Sequence, residues 1–370
     1  MFDDLPLIDG HAHPVLPPAA AREPFVRYFT EAGDPETIAR HAPHTLFYRH
    51  ALRELAAFLG CDATEDAVIR ARELLISTGF DAYLRRLFAD ARVEAVLLDD
   101  GYPPTGALTP AEMGAISGVT TRRVLRLEPL VEELVPACDT PAALKEALLR
   151  ELDAARPGLV AVKSIIAYRS GLAIDAPDAR EVERALAEVR AAWGGRPGRL
   201  AAKALLDDAI AAATEWAAAH GLPVQLHTGF GDRDLDLRLA NPLHLRPALE
   251  RGALSTGPIV LLHAAYPYAR EAAYLASVYP QVYVDISLAA PLLAGPGLTR
   301  VLEQLLALAP VTKILYGSDA WGIPEWFWLA ARAARRALAE ALSWLPEGEA
   351  RWVARRLLHD NASELYGLAG

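Results

Sequence analysis

Eight short apolar segments alternating with stretches of helical periodicity constrain the fold of this 370-residue chain more than any other feature. Their cores are rich in Val, Ile and Leu, and several are continuously apolar, which is typical of parallel strands buried on both faces. The segments are Leu5–Asp9, Val93–Leu98, Arg123–Glu128, Leu159–Ile166, Pro223–His227, Pro258–His263, Val282–Ser287 and Lys313–Gly317.

The stretches between these segments carry the 3.6-residue apolar period of helices that pack on a core, as in Asp178–Trp193, Arg199–His220 and Glu325–Leu345. Eight strands alternating with helices predict an α/β fold, a (β/α)8 TIM barrel. An open doubly wound sheet is the competing architecture. Because no Gly-x-Gly-x-x-Gly follows the first strand, its dinucleotide-binding version loses its main support.

The chain is longer than the roughly 250 residues that such a barrel needs. Most of the excess lies between the first and second strands, where residues 15–91 are predicted to form a helical insertion. This insertion follows the end of a strand at which barrel loops build active sites, so we expect it to cap the active-site face. Residues 1–370 are otherwise interpreted as a single barrel. The helical stretches of the insertion are His44–Gly60, Thr64–Ser77 and Phe80–Ala91.

Charge and cysteine content limit the partners of the protein. With 47 acidic and 37 basic residues, the net charge of −10 argues against a nucleic-acid partner, which requires a basic surface. Cys61 and Cys138 cannot make a disulfide framework or a cysteine zinc site. The acidic start and the lack of an apolar run of about 20 residues argue against a signal peptide and a membrane span. We expect a soluble cytoplasmic protein with a small-molecule substrate and no membrane partner; a homo-oligomer is left open.

The first candidate metal ligands are His11 and His13, which follow the first predicted strand and precede Pro14. Side chains two apart in a strand project to one face, here the mouth of the barrel. Imidazole nitrogens are ordinary ligands of transition metals. A chance His-x-His pair in a turn is the alternative, but the position directly after an apolar strand favours a metal site.

Three further polar residues end later strands. His227 and His263 end the fifth and sixth strands, and Asp319 follows the eighth, which neighbours the first strand in a closed barrel. A single such histidine is more often a hydrogen-bonded core residue, and an aspartate here could cap a helix. The placement of all these groups at one barrel face favours a shared metal centre.

These motifs resemble the amidohydrolase superfamily, in which His-x-His lies on strand 1, single histidines lie on strands 5 and 6, and Asp lies on strand 8. Ile8–Pro14, Val224–Gly229 and Tyr316–Asp319 are most similar to its amidohydrolase-2 branch of metal-dependent TIM-barrel hydrolases. Ala167–Leu172 and Arg126–Glu128 further resemble the amidohydrolase-like domain that is fused to glutamine-synthetase-like proteins. The resemblance extends from Ile8 to Tyr366.

The resemblance implies that His11, His13, His227 and Asp319 hold one divalent ion, with zinc expected. His263 would orient the water or polarise the substrate carbonyl without binding the metal. Zinc lowers the pKa of its bound water to about 7, so hydroxide is available at neutral pH. Asp319 would accept a proton from this water and pass it to the leaving group.

Lys163 leaves the number of metal ions open, because binuclear relatives use a carboxylated lysine on strand 4 to bridge two ions. Lys163 lies inside the predicted fourth strand, where its burial is costly unless the side chain is paired or modified. An ion pair with a carboxylate in the barrel, or a role in substrate binding, is favoured over carboxylation.

Arg126, Glu128 and Arg169 are the other candidate substrate-binding residues. Arg126 and Glu128 have the same parity on the third strand, and both are expected to face the mouth. Arg169 follows strand 4 and could clamp a carboxylate with two hydrogen bonds. Structural pairing of either arginine with Glu128 or Asp285 is the alternative.

The sequence therefore predicts a metal-dependent hydrolase that cleaves an amide or ester-like bond of a small carboxylated molecule. The glutamine-synthetase association suggests a γ-glutamyl amide. A metal-dependent non-oxidative decarboxylase of the same superfamily is the first alternative, and a non-catalytic metal-binding barrel is the second.

Overall fold

The computed structural model describes residues 1–102, 105–251, 254, 256–293 and 295–368. Eight parallel strands form one sheet, in which each strand pairs with the next one along the chain. The strands are β1 Leu7–Ala12, β2 Val93–Asp99, β3 Thr120–Arg126, β4 Leu159–Ser164, β5 Val224–Leu226, β6 Ile259–Leu261, β7 Val282–Asp285 and β8 Ile314–Leu315.

Backbone hydrogen bonds join the first strand to the last one and to the loop that follows it. The Gly10 N–H donates to the Tyr316 carbonyl at 3.0 Å, and the Asp319 N–H donates to the His11 carbonyl at 2.8 Å. Because β1 thus contacts both β2 and the β8 segment, the sheet is a nearly closed barrel. The predicted TIM barrel is confirmed.

Helices connect the strands, and their bounds lie within a few residues of the periodic stretches in the sequence. In chain order they are α1 Pro35–Arg40, α2 Leu46–Leu59, α3 Glu65–Asp90, α4 Pro110–Ser117, α5 Leu127–Leu134, α6 Pro141–Ala155, α7 Ala179–Trp193, α8 Lys203–Ala219, α9 Arg246–Arg251, α10 Ala269–Val278, α11 Ala289–Leu292, α12 Pro296–Leu306, α13 Glu325–Ala341, α14 Glu347–Arg355 and α15 Asn361–Leu365. In the described part of the chain, none of them has the length and apolar character that crossing a bilayer requires.

Apolar side chains form two layers, one between the barrel and its helices and one inside the barrel. The outer layer includes Val96 and Leu226, which are fully buried. The inner layer includes Leu97 and Val260 and also receives Tyr366, from the end of the chain beyond α15. Burying such side chains contributes about 1.5–3 kcal/mol each. The C-terminal segment is therefore part of the barrel core.

The segment between β1 and β2 is helical, as predicted for residues 15–91, and contains α1, α2 and α3. It attaches to α13 through aromatic packing of Phe47 on Trp326, whose ring centroids are 5.6 Å apart. Buried Glu325 accepts a hydrogen bond from Arg72 of α3 and another, of 3.0 Å, from the Tyr83 hydroxyl. This arrangement fixes the insertion beside the start of α13, directly after the β8 loop.

One strand prediction is wrong in a way that affects the candidate site. β3 ends at Arg126 and α5 begins at Leu127, so Glu128 belongs to the first turn of a helix. Pro129 explains the early end, because proline cannot donate to a strand ladder but fits the first helical turn. Arg126 and Glu128 therefore do not share a strand face.

Candidate metal centre and active site

Three predicted ligands from opposite ends of the chain meet at the mouth of the barrel. The Nε2 atoms of His11 and His13 lie 3.1 and 3.3 Å from Asp319 Oδ1. His11 lies within β1, and the backbone bond from Asp319 to the His11 carbonyl fixes the loop after β8 against it. The closing of the barrel thus creates the cluster that the sequence pattern predicts.

The two later histidines lie beside this cluster. His263 Nε2 is 2.9 Å from His227 Nδ1, and His263 Nδ1 is 3.9 Å from Asp319 Oδ2. One potential ligand atom from each of His11, His263 and Asp319 lies within 4.8 Å of the others. A ring nitrogen of His263 therefore belongs to the same candidate cluster, and the exclusion of His263 from the ligand set stays a prediction.

Each of the four imidazole rings has one nitrogen occupied by a protein partner. Such partners orient a histidine and decide which nitrogen remains free to bind a metal. The pairs are His11 Nδ1 with Gln225 Oε1 at 2.9 Å, His13 Nδ1 with the Asp99 carbonyl at 3.0 Å, His227 Nε2 with the Phe230 carbonyl at 3.1 Å, and His263 Nδ1 with Ser287 Oγ at 2.9 Å.

The remaining acceptor atoms fit a cation. A carbonyl oxygen can only accept, so His13 and His227 donate from their outer nitrogens and, when neutral, have a free lone pair on the other. Asp319 Oδ1 is buried without a hydrogen-bond partner among the described residues, although two imidazole nitrogens lie within 3.3 Å. Acceptors that face one another at this distance repel unless a positive charge lies between them, as a metal ion would.

The charges of these groups suit metal binding, which requires neutral imidazoles and an ionised carboxylate. Burial, with a smaller contribution from the charge of Lys163, lowers the pKa of His11 to about 4. Burial also holds the pKa values of His227 and His263 well below the usual range. For Asp319, burial raises the pKa, but the neighbouring imidazoles of His263, His11 and His13 outweigh it and hold the pKa well below its usual range.

The backbone is left-handed at two of these residues, with φ of 66° at His263 and 54° at Asp319. Such conformations cost about 1–3 kcal/mol each in non-glycine residues and persist only where the surroundings impose them. Here the His263 N–H donates to Asp285 Oδ1 at 2.8 Å, and Asp285 also accepts from the Ser287 hydroxyl at 2.7 Å. Asp285 therefore fixes both the backbone of His263 and the partner of its ring.

Lys163 extends from β4 into the centre of the site. Its Nζ lies 2.9 Å from His11 Nε2 and 3.9 Å from Asp99 Oδ2. Burial lowers the pKa of Lys163 to about 8, against the opposing charge of Asp99. The side chain therefore contacts the metal cluster directly, and an ion pair with a barrel carboxylate, one of the predicted alternatives, is present with Asp99.

Arg126 is paired with Asp99 and not with Glu128 or Asp285, the predicted alternatives. Its Nε and Nη2 donate to Asp99 Oδ2 at 3.0 and 2.6 Å. Asp99 is fully buried at the end of β2. Although burial would raise the pKa of Asp99, the charge of Arg126 holds it below its usual range.

Arg169 and Glu128 lie in different surroundings. Arg169 Nη2 is 3.1 Å from Glu132, and its buried Nε has no hydrogen-bond partner among the described residues. Glu128 is fully buried, and its Oε1 accepts from the Ser164 hydroxyl at 2.6 Å and the Ile165 N–H at 2.8 Å. Arg169 thus has a free donor, whereas one oxygen of Glu128 anchors the end of β4.

A cavity of about 370 Å³ opens above the metal cluster. Arg126, Lys163 and Arg169 line it together with His13, His227, His263 and Asp319, and the insertion contributes Arg27, Thr30 and Glu31. Burial raises the pKa of the Glu31 carboxyl to about 7. Tyr168 and Trp321 form aromatic parts of the wall. The volume suits a small molecule.

Sequence reasoning missed Asp99 and Gln225. Asp99 follows the apolar run of β2 directly, in the same position relative to its strand as the histidines relative to theirs. Gln225 lies two residues before His227, so its side chain shares the inward face of β5. A polar residue inside an otherwise apolar strand was the available signal in both cases.

Comparisons with known proteins agree with this geometry. Residues 8–368 match the family model described as Amidohydrolase. Protein fluG of Emericella nidulans is 30% identical over 402 aligned positions, which cover 98% of this chain and 46% of fluG. The chain therefore spans about half the length of that curated relative.

Solved structures share the fold. A crystallised protein of Lactobacillus casei, described as a metal-dependent hydrolase, has a TM-score of 0.86 and 29% identity, covering 99% of this chain and 96% of that one. Uronate isomerase of Thermotoga maritima has a TM-score of 0.69 at 16% identity, covering 98% and 95%, which shows the fold alone. The matches support an enzyme over the non-catalytic barrel. The chain belongs to the amidohydrolase family, as a metal-dependent enzyme of the amidohydrolase type.

Proposed function

We propose that the protein is a zinc-dependent hydrolase that cleaves an amide or ester-like bond of a small carboxylated substrate. The observation that carries the proposal is Asp319 Oδ1, which has no hydrogen-bond partner among the described residues and faces the Nε2 atoms of His11 and His13 at the floor of the cavity. His227 completes the proposed ligand set. Nitrogen and carboxylate ligands of this kind are those that catalytic zinc uses.

Zinc would supply Lewis acidity, which polarises the scissile carbonyl and makes water acidic enough to attack at neutral pH. Asp319 accepts the proton of the attacking water, because its pKa keeps it ionised at neutral pH. His263 orients this water through Nε2, the ring nitrogen that does not contact Ser287 and that lies 2.9 Å from His227 Nδ1. The carbon–nitrogen or carbon–oxygen bond then breaks, and Asp319 returns the proton to the leaving atom.

The substrate carboxylate would bind at Arg169, whose Nε is buried and has no partner among the described residues. An ionised partner makes such a hydrogen bond about twice as strong as a neutral one. Arg126 contributes positive charge to the same part of the cavity wall. A γ-glutamyl amide meets these requirements, since it carries both a carboxylate and a cleavable amide. Cytoplasmic location stays a prediction from the sequence.

Release of amine or ammonia from a panel of amides, with zinc present, tests the reaction. We expect turnover of carboxylated amides, and we expect Asp319→Asn to lower kcat by about 10²–10⁴-fold. Arg169→Gln should raise KM for carboxylated substrates but leave neutral amides unaffected. Arg184→Gln is the matched control, because Arg184 is 71% exposed on α7 and lies 4.0 Å from Glu188.

Three results would contradict parts of the proposal. Release of CO2 without amine would make the protein a decarboxylase of the same superfamily. Unchanged turnover in Asp319→Asn would remove the proton transfer assigned to this residue. Equal effects of Arg169→Gln on charged and neutral substrates would remove the carboxylate subsite.

A further inference from the structure

Gln225 is a fully buried amide inside the barrel, and it bonds to three groups from other parts of the chain. Its Oε1 lies 2.9 Å from His11 Nδ1. Its Nε2 donates to the Gly10 carbonyl at 2.8 Å and to the Tyr366 hydroxyl oxygen at 2.9 Å. Both ends of the amide are therefore engaged, which a buried polar side chain requires.

These partners decide which way the amide points. The Gly10 carbonyl can only accept, so the NH2 group of Gln225 must face it. The amide oxygen then faces His11 Nδ1, and because that oxygen can only accept, Nδ1 must carry the proton. The neutral ring of His11 consequently has its free lone pair on Nε2.

A second contact leads to the same protonation of His11. Lys163 Nζ lies 2.9 Å from His11 Nε2. An ammonium group has donors but no acceptor, so Nε2 accepts from it. The contacts of both ring nitrogens therefore agree, and the unprotonated Nε2 is the atom that lies 3.1 Å from Asp319 Oδ1.

We propose that Gln225, supported by Tyr366, is a positioning residue that holds His11 in the Nδ1–H form with Nε2 directed at Asp319. This inference rests on the proposed role of His11 as a metal ligand. Tyr366 follows α15, so the C-terminal end of the chain acts on the metal centre through a single amide. Partners of this kind raise metal affinity by about 10–100-fold.

Three variants separate the contributions. Gln225→Leu removes all three hydrogen bonds of the amide, and we expect it to weaken zinc binding by about 10–100-fold. Gln225→Glu keeps an acceptor oxygen for His11 Nδ1, so it should restore most of the affinity. Tyr366→Phe removes one acceptor of the amide and should have the smallest effect, up to about 10-fold.

The protonated nitrogen of His11 is observable without activity or metal. In the metal-free protein, long-range ¹H–¹⁵N correlation spectra of labelled histidine distinguish the two forms, and loss of a signal in His11→Ala assigns it. We expect Nδ1–H in the wild type and in Gln225→Glu, and a mixture in Gln225→Leu. Gln281→Leu is the matched control, since Gln281 donates only to the Leu249 and Leu254 carbonyls among the described residues.

The inference is wrong if Gln225→Leu keeps the Nδ1–H form and binds zinc within about two-fold of wild type. It is also wrong if Gln281→Leu changes the protonation of His11 and the zinc affinity as much as Gln225→Leu does, because both effects would then come from general destabilisation. Zinc binding retained in His11→Ala would instead contradict the proposed role of His11 as a metal ligand. The spectra of the metal-free protein would still show whether Gln225 determines which nitrogen of His11 is protonated.

Discussion

Replacing Arg126 with leucine would leave the Asp99 carboxylate buried without its main partner. Asp99 is fully buried and the Arg126 side chain is 9% exposed, so the hydrogen bonds of this pair are shielded from water. Removing one partner of a buried ion pair costs about 3–5 kcal/mol. Because Lys163 Nζ remains 3.9 Å from Asp99, we expect the lower end, about 3 kcal/mol of unfolding free energy at neutral pH.

The unfolding free energy lost in Arg126→Leu should depend on pH, and the pKa of Asp99 decides whether the loss grows or shrinks as the pH falls. In the wild type this pKa lies below its usual range, so the pair stabilises the fold above about pH 4, and this contribution is lost as the pH falls. Arg126→Leu removes the largest charge that opposes burial, so we expect the pKa of Asp99 to rise towards its usual range or above it. The difference from wild type is therefore largest at neutral pH and shrinks towards about pH 4.

Urea unfolding followed by circular dichroism at about pH 7 and pH 5 measures both effects. Arg123→Leu is the matched control on the same strand, because its ion pair with Asp100 is 39% and 24% exposed. An exposed pair of this kind contributes at most about 1 kcal/mol. A loss in Arg126→Leu no larger than in the control, or one that is equal at both pH values, would refute the reasoning.

Three further outcomes are expected. Gly229→Ala should cost about 2–5 kcal/mol in urea unfolding, because φ is +71° and the added Cβ would lie 2.3 Å from the Ala265 carbonyl carbon; Gly118→Ala, at φ +76° in open space, should cost much less, and equal losses would contradict this. Ser287→Ala should lower kcat by about 10-fold and leave zinc affinity unchanged, since His263, which orients the water, loses the partner of its Nδ1; an unchanged kcat would contradict that role. Removing the metal with a chelator should lower the unfolding free energy by about 2.7 kcal/mol relative to protein in zinc at 100 times its Kd, and added zinc should restore it. An unfolding free energy that neither the chelator nor added zinc changes would argue against a resident metal.

The pattern of the sequence was sufficient for the barrel and for the positions of the four histidines and Asp319. Apolar periodicity is local: it depends on which face of a strand or helix avoids water, and neighbouring residues alone define it. Since parallel strands in a barrel all end at one face, residues that end strands had to converge. The exception is Glu128, where Pro129 ended the strand earlier than the apolar pattern indicated.

Only the tertiary structure decided which partners these residues have. The sequence suggested Glu128 or Asp285 as partners of Arg126, but the register of β2 and β3 brings Asp99 to it, with Asp99 opposite Val124. The contact between Gln225 and His11 joins positions 214 residues apart. Hydrogen-bond partners depend on distances of a few tenths of an ångström and on burial. Barrel closure sets both, and no local pattern encodes them.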